Sequence, residues 1–171
     1  MAAGKNYICS QLEKEGWSSV DADILVHGAI EIAKDQILET FNPYAQQQNI
    51  TLIRTDGTID RRALGKLLFA MPELLKIQES IVYPIITKQI EDFINSHEKT
   101  IINATVLYKT PELLARCQKI LFVTAPVLKR LRRARTRDHL SYRQIFRRFH
   151  AQRNLLKEYQ KSGIPLEIIK N

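Results

Sequence analysis

Apolar positions recur at helical spacing over much of the chain. Ile8 and Leu12 lie one turn apart between Tyr7 and Glu15, with polar residues opposite and Gly16 placed to stop the helix. From Ile24, the positions Val26, Ile30, Ala33, Ile37 and Phe41 follow one another one turn at a time, which predicts a single amphipathic helix ended by Asn42-Pro43. Tyr44 to Thr58 is polar and loop-like, with Asp56-Gly57 as a turn signal, before Ile59, Ala63, Leu64, Leu67 and Leu68 resume the helical spacing. Pro72 and Pro84 are expected to cut the helical stretch that follows into pieces, because proline removes a donor and clashes with the preceding turn.

Other stretches lack this period. Trp17 to Asp21 reads as a short strand with acidic groups at its end, and Thr100 to Leu107 and Ile120 to Thr124 read as buried strands rich in β-branched residues. A short helical piece from Pro111 to Arg116 separates the latter two, so strands alternate with helices, which favours an α/β fold with a parallel sheet flanked by helices over a bundle. Pro126 then opens a helical stretch carrying Lys129, Arg130, Arg132, Arg133, Arg135 and Arg137, the densest charge in the sequence. Leu140-Ser141-x-x-Gln144 predicts a capping box with a Leu140 to Ile145 staple, at the head of one long helix from Ser141 to about Lys161. Gly163 and Pro165 end that helix, and Leu166 to Ile169 forms a last short strand.

A chain of 171 residues is long enough for one domain with a sizeable core. Its formal charge of +8 suits an anionic partner without choosing among nucleotide, nucleic acid and membrane surface. Cys9 and Cys117 are far apart and stand near no metal-spaced histidine, so neither a disulfide framework nor a zinc site is indicated. No apolar run approaches a membrane span and no leader is visible, so a soluble, cytoplasmic protein is expected.

Two stretches carry candidate chemistry. Ala2-Ala3-Gly4-Lys5-Asn6 reads as the last half of a phosphate-binding P-loop, in which backbone N–H groups wrap phosphates and a lysine meets the β and γ oxygens. The first glycine of the pattern would fall before Met1, and Asn6 stands where a serine or threonine is usual; the plain alternative is an ordinary chain terminus. Because the first helix starts at Gly4-Lys5, its N–H groups and dipole sit at the glycine turn, as an anion requires. Asp21-Ala22-Asp23 closes the first predicted strand, where open α/β sheets place their ligand chemistry; one of the two carboxylates is expected to cap the next helix and the other to be functional, with Asp23 favoured for chemistry.

Taken in order, these residues resemble the dephospho-coenzyme A kinase family, P-loop kinases of the nucleoside monophosphate kinase type. The resemblance is carried by Gly4-Lys5, Asp21-Ala22-Asp23 with His27, Asp56-Gly57-x-Ile59-Asp60-Arg61-x-x-Leu64-Gly65 with Phe69, Pro84, Val106-Leu107-Tyr108, Arg133-x-x-x-Arg137-Asp138-x-Leu140-Ser141, and Ala151-Gln152. It implies a core over 1–40 and 100–171, a helical acceptor-binding insertion over 41–99 and an Arg-rich lid over about 129–150, in a single domain whose first strand is missing. Asn6 in place of a hydroxyl residue, Tyr83 where the family has His, and Lys109 where it has Glu are further departures.

The resemblance implies transfer of the ATP γ-phosphate to the ribose 3′-hydroxyl of dephospho-coenzyme A. Ala3, Gly4, Lys5 and Asn6 would hold the phosphates, with Arg133 and Gln152 on the nucleotide, and Lys5, Asp23 and Arg137 would be catalytic. Asp21, Asp23, His27, Asp60 and Arg61 would meet the acceptor, and Asn6 and Asp23 would be weak partners of Mg²⁺. Plainer roles stand beside these: a solvated surface pair for Asp60-Arg61, a structural histidine, and a solvated basic face that takes in Arg130, Arg132, Arg135, Arg147 and Arg148. The rival functions are a nucleic-acid-binding protein using the arginine helix, another small-molecule P-loop kinase, and an inactive remnant. Sparse aromatics among the arginines argue against nucleic acid, and no membrane partner is expected.

Overall fold

A computed structural model describes residues 1–138 and 141–171, in which the chain divides into two compact units, Met1–Ser19 with Lys99–Asn171, and Val20–Glu98. The expected Leu140 to Ile145 staple lies outside the described residues.

The first unit begins with α1 (Lys5–Lys14), which packs on strand β2 (Thr100–Asn103). Gly16, at φ +87, ends α1 in a left-handed turn, where Trp17 N–H donates to Leu12 O at 3.2 Å and Gly16 N–H to Glu13 O at 3.1 Å. Strand β1 (Ser18–Asp21) starts beside β2, with Ser18 N–H donating to Lys99 O at 2.8 Å. After β2 the chain turns through a 3₁₀ segment (Leu107–Lys109) and α6 (Pro111–Ala115) into β3 (Ile120–Thr124), so the expected strand to Leu107 stops at Asn103. Strand β3 pairs in parallel with β4 (Leu166–Lys170), Ile120 opposite Leu166 and Thr124 opposite Lys170. Among the described residues the strands form two separate two-stranded sheets, and Met1–Gly4 contribute no strand.

Between β3 and β4 run α7 (Val127–Asp138), α8 (Tyr142–Ala151) and α9 (Leu155–Gln160). The capping box forms as the pattern predicts: the Ser141 hydroxyl accepts from Gln144 N–H at 3.3 Å, and Ser141 N–H donates to Gln144 Oε1 at 2.9 Å. The single long helix does not form. Ala151 to Asn154 carry no buried side chain, so nothing offsets the ordering of that turn, and the chain breaks there before α9.

The second unit is helical. It holds α2 (Ala22–Ile32), α3 (Lys34–Gln47), α4 (Arg61–Ala70) and α5 (Glu73–Ser96), with α5 packed on the other three. Two proline expectations fail here. Pro43 lies inside α3 and Pro84 inside the 24-residue α5. A helix-interior proline costs about 3 kcal/mol. Ile37, Phe41 and Ala45 continue one buried stripe through Pro43, and burial of an Ile or Phe side chain contributes about 1.5–3 kcal/mol each, so packing carries the helix past the break. Ile81, Val82, Ile86 and Ile90 do the same around Pro84. The stretch expected as one helix from Ile24 to Phe41 is instead divided at Ala33.

Candidate active site

The glycine turn before α1 has the conformation that the sequence demands. Gly4 sits at φ +98, a left-handed angle costly for any residue with a Cβ, and a Cβ there would also lie 1.8 Å from Asn171 Nδ2. The carbonyl of the preceding residue is held by protein donors: Ala3 O accepts from Asn171 Nδ2 at 3.0 Å and from Arg133 Nη1 at 3.3 Å. α1 has no side-chain cap, whereas Asp21, Asp60 and Ser141 cap α2, α4 and α8. A helix start of this kind presents backbone N–H groups and the positive dipole end to an anion.

Charge and amide groups surround this turn. Lys5 Nζ donates to Thr105 Oγ1 at 3.1 Å, and Asn6 Oδ1 accepts from the buried Asn103 Nδ2 at 3.1 Å. Arg133, half-buried on α7, also reaches Asn171 Oδ1 at 3.4 Å, while Arg137 is exposed in the last turn of α7. Gln152 Oε1 accepts from the Met1 ammonium. The structure thus brings Ala3, Gly4, Lys5, Asn6 and Arg133 together. Arg130 departs from the solvated face assigned to it: it is half-buried, its Nε donates to Met1 O at 3.0 Å, and its guanidinium lies 4.3 Å from the Phe149 ring centroid. Arg135 over Tyr142, at 4.9 Å, joins α7 to α8 in the same way.

In the second unit, Asp21 is the capping carboxylate, its Oδ1 accepting from Asp23 N–H at 2.9 Å and Ile24 N–H at 3.3 Å. Asp23 and His27 are exposed one turn apart on α2. Asp60 caps α4 by accepting from Arg62 N–H at 2.9 Å and Ala63 N–H at 3.0 Å, and those backbone donors, Ala63 foremost, hold its carboxyl below the ordinary value. The Thr58 hydroxyl and amide do the same for Asp56 in the turn before it. Arg61 is exposed at the first position of α4. Glu31, on α2, accepts from Ile59 N–H at 3.1 Å and so ties the Asp56–Asp60 loop to the helix that carries Asp23.

Sequence reasoning missed Glu31, Asn103, Thr105, Tyr159 and Asn171. Each acts through a contact distant in sequence, such as the Asn171 to Ala3 bond, and none belongs to a periodic or spaced motif that could mark it.

Comparison with known proteins meets this geometry at several levels. The family model for dephospho-CoA kinase matches residues 1–168. A dephospho-CoA kinase of Treponema pallidum is 34% identical over 156 residues, covering 88% of this chain and 74% of that protein. One from Treponema denticola is 32% identical, covering 99% of this chain and 78% of its own. Among solved structures, TT1252 from Thermus thermophilus superposes with a TM-score of 0.80 at 24% identity, covering all of this chain and 84% of that one. A dephospho-CoA kinase from Campylobacter jejuni does so with a TM-score of 0.65 at 21% identity, with the same coverage. The fold is that of P-loop NTPases, and with a family match running nearly end to end over the Gly4-Lys5 turn, the chain belongs to the dephospho-CoA kinase family.

Proposed function

We propose that this chain is a dephospho-CoA kinase that transfers the γ-phosphate of ATP to the ribose 3′-hydroxyl of dephospho-coenzyme A. Within the family membership, the observation that carries the assignment to these residues is the uncapped start of α1 behind a left-handed Gly4, with the Ala3 carbonyl held by Asn171 and Arg133. Phosphoryl transfer asks a protein mainly to position the reactants and neutralise charge, and each assigned residue does one of the two. The N–H groups of Gly4, Lys5 and Asn6 receive phosphate oxygens, and Lys5 balances the β and γ charge. Arg133 and Arg137 share one face of α7 and stabilise the charge of the transferred group, and Gln152 lies on the adenine side.

Asp23 takes the proton of the acceptor hydroxyl, with His27 one turn away, and at the start of α4 Arg61 clamps an anionic group of the acceptor beside Asp60, which caps that helix and lines the acceptor site. Asp21, as the cap, holds the start of α2 for Asp23. We assign acceptor binding to the helical insertion 41–99 and closure over ATP to 129–150. For Mg²⁺, a hard cation that keeps several waters, the side-chain oxygens suit the ion: Asn6 Oδ1 has a lone pair beyond the one taken by Asn103, and Asp23 is an exposed carboxylate. Held by these oxygens, Mg²⁺ would supply positive charge against the phosphates. The basic face serves nucleotide rather than nucleic acid or a membrane. No helix among the described residues is long and apolar enough to cross a membrane, and we infer a cytoplasmic enzyme.

The test is product formation from ATP-Mg²⁺ and dephospho-coenzyme A by the wild-type chain and by Lys5→Met. The variant is expected to lose about 10²–10³ in kcat, the scale of removing one preorganised donor from a developing charge. Equal turnover by the two proteins would remove Lys5 from the mechanism.

A further inference from the structure

The ammonium of Lys5 is held by a residue that no motif points to. Its partner, Thr105, lies in the irregular stretch between β2 and the 3₁₀ segment, where no strand ladder fixes the backbone. One side chain does so instead. The hydroxyl of Tyr159, on α9, accepts from Leu107 N–H at 2.9 Å and donates to Thr105 O at 3.2 Å, so a single group spans both ends of the turn. Tyr159 is only 7% exposed and is wedged edge-on against Tyr108, at 5.7 Å between centroids, and Phe122 on β3, at 6.2 Å. Packing on two rings leaves its hydroxyl little freedom to be anywhere else.

We propose that Thr105 and Tyr159 are positioning residues for Lys5: the buried Tyr159 hydroxyl fixes the turn, the turn fixes Thr105, and the Thr105 hydroxyl aims the lysine at the phosphates. The proposal rests on the ATP reading of Lys5. A free lysine must lose the rotamer freedom of a long stem at the moment it meets substrate. Here part of that ordering is complete beforehand, because Thr105 already holds the ammonium where the phosphates are received. The benefit grows as charge develops on the transferred group, so it belongs to kcat more than to ground-state binding.

Four full-length variants test this: Tyr159→Phe, Thr105→Val, the double variant, and Thr105→Ser. Tyr159→Phe keeps the ring packing and removes only the two hydrogen bonds. Each of the first two is expected to lower kcat about tenfold, the size of one net hydrogen bond lost from the transition state, with KM for dephospho-coenzyme A within about twofold. Because Tyr159 acts through Thr105, the double variant should be no slower than Thr105→Val alone, and Thr105→Ser should restore kcat to within about twofold of wild type. A Tyr159→Phe protein that melts earlier but turns over at the wild-type rate would reduce Tyr159 to packing and overturn the proposal, as would losses that multiply in the double variant. Lys5→Met, run alongside, separates the two levels. If it abolishes turnover while the Tyr159 and Thr105 variants stay at wild-type rates, only the positioning fails; if it leaves turnover intact, the ATP assignment of Lys5 fails and takes the positioning with it.

Discussion

At the scale of single residues, the turn before α1 depends on the absence of a Cβ. Gly4→Ala meets two costs together, the left-handed backbone at about 1–2 kcal/mol and a methyl group placed 1.8 Å from Asn171 Nδ2. Relief requires Asn171 to leave Ala3 O, which removes one of the two donors that hold that carbonyl and leaves Arg133 as the other. Gly4→Ala is therefore expected to lower the unliganded melting point by several degrees and, beyond that, to abolish the further thermal stabilisation that ATP gives the wild type; an ATP-induced shift equal to wild type would refute the cradle. Tyr159 makes a second residue-scale prediction. Burial pushes its phenol from 10.0 up to about 12, so the folded state favours the neutral form. The stabilisation is complete below pH 10, the unfolded value, and is lost as pH rises toward 12. Alkaline melts followed by far-UV circular dichroism should show Tyr159→Phe losing less stability than wild type across that window.

At the scale of elements, side chains close the starts of α2, α4 and α8, while α1 begins without one behind a left-handed glycine. Ser141 closes α8 with a reciprocal capping box, and Ser141→Ala should cost about 1 kcal/mol, read as a lower denaturant midpoint at unchanged slope. Asp60 and Asp56 work at the entrance to α4, and both carboxyls are held below their ordinary value of 3.8 by Ala63 and Thr58 respectively. A depressed carboxyl stabilises above its unfolded value and loses that contribution as pH falls through the folded one, so acid should loosen this entrance only below about pH 4. Hydrogen exchange at the Arg62 and Ala63 amides, followed from pH 5 down into the acid range, should keep its protection to about pH 4 and lose it below; protection already lost above pH 4 would contradict the assignment. If α7 and α8 form the proposed lid, Arg137→Ala is expected to lower kcat far more than it weakens ATP binding, and Arg147→Ala, exposed on α8, to do little. Equal effects would mean that the lid has been assigned to the wrong face.

For the whole molecule, a net charge of +8 draws polyanions of every kind, and the kinase reading limits what that attraction achieves. Binding to duplex or single-stranded nucleic acid should stay near the non-specific range of roughly 10⁻⁴ to 10⁻⁶ M at physiological salt and weaken steeply with added salt. A sequence-specific nanomolar complex would favour the rival reading. The sequence by itself determined whatever depends on neighbours along the chain: the start of α1 at Gly4-Lys5, the stop at Gly16, strand β3 from Ile120 to Thr124, the capping box at Ser141 and the alternation that marks an α/β fold. Order and spacing of motifs over nearly the whole length also made the family legible. Local rules failed where burial outweighed them, at Pro43 and Pro84, where apolar stripes carried α3 and α5 through, and where burial was lacking, at the break after Ala151. What only the tertiary structure decided are the contacts made by residues far apart in the chain: Asn171 on Ala3, Asn103 on Asn6, Glu31 on Ile59, and Tyr159 through Thr105 on Lys5. Such partners carry no periodicity, because a hydrogen bond across the fold is set by where two backbones are brought, and that position is fixed by the packing of the entire unit rather than by either residue's surroundings in sequence.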